Sequence, residues 1–465
     1  MASNRLSALD ASFLDVETAS AHMHVGWAAA FDPPEDRSAP SFEQLRDHIE
    51  RRLHRAPRYR QRLAGVPLGV ARPVWVDDDR FDVNRHVRPA GHASLDERAG
   101  SVLSTPLSRE RPLWEMWITD RLEDGRIGIV GKAHHCMVDG LAAVELASVL
   151  LDTEPDGPPD PPDDWEAVAA PGQAKRFVDG LVDVARGQLA LAGSAAGALG
   201  SPRKLAAGAH RAAGALAGSL TPADTLGVLN APISPYRALA TLARPMNELR
   251  AIKRGYGCTI NDVVLAASTG GVRRHLERHG EHPARFKAMV PVSVRDDGAA
   301  GEFGNRISFI FVELPCGEPG AEERLRHVTR AIGDAKASGT PDGATTILDL
   351  AAAAPSVVQR AMSRLVASPR TFNVVVSNIP GPQPPTWMLG CRLREAYPIV
   401  PLSDRHALSI GFTSIDGGAF FGIYADRDAG PDAEHLARDI GAELDELLKL
   451  APARARTEKA APVPV

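Results

Sequence analysis

Aromatic residues make up only 5% of the 465-residue chain, cysteines number four, and lysine is scarce, with eight Lys among 53 basic residues. No block of five consecutive Lys/Arg occurs and the formal net charge is −5, so the basic footprint expected of a nucleic-acid partner is missing. Cys136, Cys258, Cys316 and Cys391 lie far apart with no C-x-x-C pair. That spacing excludes a disulfide framework and a zinc ribbon, and it suits a reduced, cytoplasmic compartment. The first ten residues lack a basic start followed by an apolar run, so no secretory signal is read. The uncharged stretch from Gly187 to Pro202 is too short and too rich in glycine to span a bilayer. Also absent are a G-x-S-x-G elbow, H-E-x-x-H, G-x-G-x-x-G and a Walker lysine loop, which removes the usual support for serine-hydrolase, zincin and nucleotide-binding readings.

What is present is 44% hydrophobic residue over a length that suits two or three domains, or one large two-lobed unit. Ser41 followed by Gln44 is a capping-box pattern, and Phe42, Leu45, Ile49 and Leu53 form one stripe, which predicts a helix over 42–55. The run 126–133 reads as a strand, and Leu141, Val144, Ala147 and Leu151 return at helical spacing with Asp139 placed to cap that helix. Composition then shifts to Pro, Gly and Asp, followed by an Ala/Gly-rich stretch that is net basic. The plain reading is a solvated crossover helix, and the sharper one is a surface resting on anionic lipid. Beyond residue 235 a helix is expected over 259–274, strands over 287–294, 306–314 and 372–376, a hairpin around Asp416-Gly417-Gly418, and a final helix facing a core through Leu436, Ile440, Leu444 and Leu447. The economical architecture is α/β (α+β): a first lobe over 1–151, a linker and crossover over 152–234, a second lobe over 235–452 and a disordered tail over 453–465.

One dense polar cluster stands out, His134-His135-Cys136-Met137-Val138-Asp139-Gly140, set between an apolar strand and an amphipathic helix. A neutral imidazole at a strand end can take a proton from a hydroxyl, which makes it a candidate general base. Asp139 can fix the local backbone, and Gly140 removes a side chain beside the turn. Satisfied core histidines are the structural alternative. A metal site is a third reading, although adjacent histidines on an extended chain diverge, so no metal is expected. Cys136 offers a rival scheme with a thiol nucleophile.

HHxxxDG in this strand–loop–helix setting resembles the active-site motif of the superfamily that includes chloramphenicol acetyltransferase and peptide-synthetase condensation domains. Leu9-Asp10-Ala11-Ser12-Phe13, His24-Val25-Gly26, Pro112-Leu113-Trp114-Glu115, Asn261-Asp262-Val263-Val264-Leu265-Ala266, Pro291-Val292-Ser293-Val294-Arg295, Gly304-Asn305-Arg306 and Ser377-Asn378-Ile379-Pro380-Gly381-Pro382 narrow it. Together they are similar to the bacterial wax ester synthase/diacylglycerol acyltransferase family from residue 6 to about 450. The resemblance implies two chloramphenicol-acetyltransferase-like lobes, with mixed sheets flanked by helices, enclosing an apolar tunnel. It also implies acyl transfer from acyl-CoA, a co-substrate rather than a cofactor, to the hydroxyl of diacylglycerol or a long-chain alcohol. By position in the motif His135 is the base, His134 a supporting residue and Asp139 an organiser of the loop. Asn261 and Asp262 are expected near the active site, although helix capping by Thr259 or Asn261 explains that segment equally well. Arg295 is the candidate partner of Asp139, and Ser377 with Asn378 either lines the acyl-CoA channel or simply forms a turn. Peripheral contact with a membrane or lipid droplet and a homodimer are compatible with the family. Against membrane attachment, Ala8 stands where the family often has Pro, and the Ala/Gly-rich linker is less apolar than an anchor prefers. A different alcohol or amine acceptor, or a non-catalytic lipid-binding role, are the competing functions.

Overall fold

The computed structural model describes residues 4–119, 121–137, 150–158, 160–161, 163–199, 222–293, 307–337 and 356–451. In chain order its strands are β1 (His24–Asp32), β2 (Gln61–Ala64), β3 (Val74–Asp77), β4 (Val87–Gly91), β5 (Trp114–Thr119), β6 (Ile127–His134), β7 (Arg237–Pro245), β8 (Phe286–Ser293), β9 (Ile307–Leu314), β10 (Val374–Pro380), β11 (Trp387–Met388), β12 (Cys391–Ile399), β13 (Leu408–Ile415) and β14 (Gly418–Asp426). Two six-stranded mixed sheets form, in the orders β11-β12-β1-β6-β5-β4 and β7-β14-β13-β10-β8-β9, with a small β2-β3 hairpin beside them. The expected two-lobed α/β architecture is present.

The centre of the first sheet is β1, whose sequence HVGWAAAFD has little β-propensity. It becomes a strand because neighbours flank it on both edges and its alanines are buried, a case of tertiary context overriding propensity. On one edge it pairs with β6, Trp27 opposite Gly131 and Ala29 opposite Ile129. On the other it pairs with β12, Trp27 opposite Pro398 and Ala29 opposite Ala396. Thus residues 387–399, expected within the second lobe, complete the sheet of the first.

Local signals are realised where expected. Ser41 and Gln44 close a capping box on helix Phe42–Arg52. Strands β13 and β14 form the hairpin, with Asp416 and Gly417 both at positive φ between them. Helix Ala433–Leu450 buries Leu436, Ile440, Leu444 and Leu447. It packs on helix Ile260–Arg278 so closely that a Cβ on Gly270 would lie 2.2 Å from Glu443 Cδ, and one on Gly271 2.6 Å from Ile440 Cγ1. Strand β10 continues to Pro380, past the end expected at 376, because residues Val375 to Pro380 pair in parallel with β13. The helix expected after Asp139 and the tail over 453–465 lie outside the described residues. Of the crossover, Gln173–Leu199 is a helix of 27 residues, tied to the start of the chain by Arg5 Nε–Asp183 at 2.8 Å. Among the described residues no helix is long and apolar enough to cross a membrane.

The lobes meet along helix Leu95–Leu103 and β7. Arg237 N–H donates to Ser104 Oγ at 2.9 Å, and Thr241 Oγ1 donates to Asp96 at 3.2 Å. A second contact joins helix Ala8–Val16 to helix Ser356–Val366 from the far half of the chain, with Arg360 Nε 3.2 Å from Asp15.

Candidate active site

Strand β6 delivers the doubled histidine. Ala133 pairs with Val25 and His134 with His24, after which the chain turns, His135 N–H donating to the Met23 carbonyl at 2.9 Å. Met23 itself has a φ of 51°, a left-handed conformation unusual for a side chain of its size and typical of strained functional loops. Because alternate residues of a strand face opposite sides, His134 shares a face of β6 with Lys132 while Ala133 takes the other, and His135 lies just past the strand, in the turn.

His135 is half-buried, and its ring stacks on Phe13 with centroids 3.6 Å apart and planes 10° off parallel. Phe13 is carried by helix Ala8–Val16 and packs against the same apolar cluster that holds Ala133, Cys136 and Met137. A flat stack fixes the plane of an imidazole.

His134 is 1% exposed, and burial, with Arg109 adding to it, lowers its pKa to about 3, so it is neutral. Its Nδ1 accepts the Cys136 N–H at 3.1 Å, which leaves the proton of the neutral ring on Nε2. That nitrogen faces the Glu17 carboxylate at 3.7 Å, and Glu17 in turn pairs with Arg109. His134 therefore clamps the turn that presents His135. Beside it Lys132, also buried, donates from Nζ to the carbonyls of Val102 at 2.8 Å and Thr105 at 2.7 Å, with Glu115 at 3.4 Å. Burial pushes the Cys136 thiol up to about 12, which makes it a poor nucleophile; the structure favours packing for that side chain.

On the Ile129 and Ala133 face of the first sheet lies an apolar cavity of about 100 Å³ between the lobes. Its floor is β1, from Val25 to Phe31, with Met116 and Ile129 beside it. Its roof is the end of β10 and the following turn, Ile379 to Pro382, with Thr413 and Ile415. Leu150, Leu151 and Met388 close the side. Gly131 makes room for the Trp27 indole that lines the cavity, since a Cβ there would sit 2.6 Å from that ring.

The remaining expected site residues divide. Ser377 and Asn378 lie within β10, opposite Gly411 and Phe412, and directly precede the cavity roof. Thr259 caps helix Ile260–Arg278, and Asp262 closes the box by accepting the Thr259 N–H at 2.9 Å. Asp262 is buried, while Asn261 is half-buried and does not cap the helix. No described contact joins either residue to His135. Asp139, Gly140 and Arg295 lie outside the described residues. Among those that are described, no group of His, Cys, Asp or Glu is arranged to hold a metal ion. Sequence reasoning assigned no role to Phe13, Met23, Glu17 or Lys132. Phe13 sits in the Leu9–Phe13 motif and Lys132 interrupts an otherwise apolar strand, so both left a trace in the sequence.

Comparison with known proteins gives a consistent answer. Residues 6–264 match the wax ester synthase/diacylglycerol acyltransferase catalytic domain, and residues 303–448 match the C-terminal domain of the same family. A probable diacylglycerol O-acyltransferase of Mycobacterium tuberculosis is 33% identical over 473 residues, covering 98% of each chain. A wax ester synthase/diacylglycerol acyltransferase from Marinobacter aquaeolei has the same fold with a TM-score of 0.69 and 25% identity, over 96% of this chain and 99% of that one. The first condensation domain of the calcium-dependent antibiotic synthetase, at 17% identity and a TM-score of 0.58 over 98% of this chain and 97% of that one, shares the fold. The chain belongs to the wax ester synthase/diacylglycerol acyltransferase family of acyltransferases.

Proposed function

We propose that the protein transfers a long-chain acyl group from acyl-CoA to the hydroxyl of a diacylglycerol or a long-chain alcohol, with His135 as general base. The observation that carries this reading is the placement of His135: half-buried in the turn after β6 and stacked on Phe13, which packs on the same apolar cluster as the cavity residues Ala29, Phe31 and Ile129. His135 takes the hydroxyl proton as the oxygen attacks the thioester carbonyl. The tetrahedral oxyanion collapses, the C–S bond breaks, and the imidazolium returns the proton to the departing CoA sulfur. No covalent acyl-enzyme is needed. Asp139 as organiser of the loop, Gly140 as the small residue beside it and Arg295 as the partner of Asp139 belong to the same proposal. So do Ser377 and Asn378 as part of the channel wall. The sequence relatives named as diacylglycerol O-acyltransferases favour diacylglycerol as acceptor. The acyl-CoA donor is supported by the family, and by a condensation domain of the same fold solved with C8-CoA.

Burying each methylene stabilises by about 0.8 kcal/mol, so a long chain rather than an acetyl group is the substrate an apolar cavity selects. The helix Gln173–Leu199 exposes Val178, Leu181, Val182 and Leu189 near Lys175, Arg176 and Arg186, a composition suited to peripheral contact with anionic lipid. The decisive experiment incubates the protein with palmitoyl-CoA and either dioleoylglycerol or hexadecanol and follows free thiol. Acceptor-dependent release that disappears in His135→Ala is the expected result. Release that is independent of acceptor, or equal in the variant, overturns the assignment, and release only with an amine or a different alcohol redirects it to another acceptor.

A further inference from the structure

The cavity has a graded floor. Val25, Trp27, Ala29 and Phe31 share one face of β1 and all border it. Val25 marks the His135 end, paired with Ala133, and Phe31 lies about 20 Å further along the strand at roughly 3.3 Å per residue. Between them, at about 13 Å, the floor narrows to methyl groups: Ala29 on β1 and its partner Ala396 on β12. At the far end the side chains become large again, Phe31 beside Leu393, with Met388 and Leu151 closing the space. Ala29 is 2% exposed and Phe31 3%, so neither is open to solvent by another route. Among the described lining residues Thr413 carries the one side-chain hydroxyl.

We infer that this cavity receives the alkyl chain of one substrate with its methyl end toward Phe31, and that Ala29 sets the length of chain admitted. The inference rests on the acyl-transfer reading and deepens it. A chain entering at the Val25 end passes Trp27 and crosses Ala29 before it meets Phe31. The floor is therefore as long as an extended palmitoyl chain, which has to part the cavity walls to enter, whereas a large side chain at position 29 stops the path where a chain of about ten carbons ends. Two sources supply such a chain, the acyl thioester and the acceptor.

The test measures binding of palmitoyl-CoA and octanoyl-CoA by calorimetry, together with turnover in two series. One series varies acyl-CoA length at fixed acceptor, and the other varies alcohol length at fixed palmitoyl-CoA. For Ala29→Phe the expected result is a preference for long over short chains reduced by roughly tenfold or more, confined to one series. Phe31→Ala is expected to move the optimum toward longer chains in that same series. A shift in the acyl-CoA series assigns the cavity to the donor, and a shift in the alcohol series assigns it to the acceptor. An unchanged length preference in both series, or equal loss for short and long chains in a variant that melts as the wild type does, overturns the inference. If Ala29→Phe fails to fold, Ala29→Leu and Phe31→Ala decide by the same criteria. A wild-type protein that shows length-dependent binding, altered by Ala29→Phe, but no turnover of either acceptor leaves the chain site standing and removes the acyltransferase reading.

Discussion

The end of β6 and the turn after it carry neighbouring histidines into different surroundings. On one face His134 is sealed beside Lys132 and Glu115, neutral, and engaged with the Cys136 backbone. In the turn just past the strand His135 lies flat on Phe13 and remains half-buried. One backbone step separates a buried clamp from the proposed base, and it falls where the strand ends and the chain turns. The doubled histidine is thus two devices, and each can be broken alone.

The sharpest division is expected between His135→Ala and His134→Ala. The first should lower kcat by about 10²–10⁴-fold with an unchanged melting curve; the second should cost roughly 1–3 kcal/mol in denaturant unfolding by stranding the Cys136 N–H. Exchanged phenotypes would erase the distinction. Acid tests the clamp without mutation. The folded-state pKa of His134 near 3 lies below its ordinary 6.5, so its stabilising contribution is complete above pH 6.5 and is lost as pH falls from there toward 3. The slope is at most about 1.4 kcal/mol per pH unit for this one group. His24 and His406, also lowered by burial, act with the same sign, so His134→Gln should flatten the acid limb rather than abolish it. On the same sealed face, Lys132→Ala leaves the Val102 and Thr105 carbonyls without their ammonium donor, an expected loss of about 1–3 kcal/mol by chemical denaturation. Across the strand, Gly131→Ala presses a methyl group on the Trp27 indole. Its expected signature is a rise in KM for long-chain substrates with a stability loss nearer 1 kcal/mol. Cys136→Ala should change least, with turnover retained; its loss would revive a thiol nucleophile despite the raised pKa.

Parts of this arrangement were legible in the chain itself. Ser41 with Gln44, the Asp416-Gly417 turn and the apolar run ending at His134 are local patterns, and local patterns survive into the fold because their hydrogen bonds close within a few residues. The general-base candidate was legible for a similar reason, as a polar cluster at the end of an apolar strand. What sequence could not supply were pairings set by distant contacts. The Ala-rich β1 gives no strand signal of its own, and nothing near Cys391–Ile399 says that its partner lies at the other end of the chain. Asp262 shows the converse: its place in a familiar motif suggests chemistry, while its observed bonds are those of a helix cap.

The swap of β12 into the first sheet limits how this enzyme can be divided. A fragment ending near residue 234 would leave one edge of β1 with unsatisfied amides and carbonyls, an invitation to intermolecular association. It would also lack the wall formed by Leu393, Ala396 and Pro398. Chimeras exchanging halves between family members must therefore carry 387–399 with the amino-terminal half, or inherit a greasy chamber open along one side.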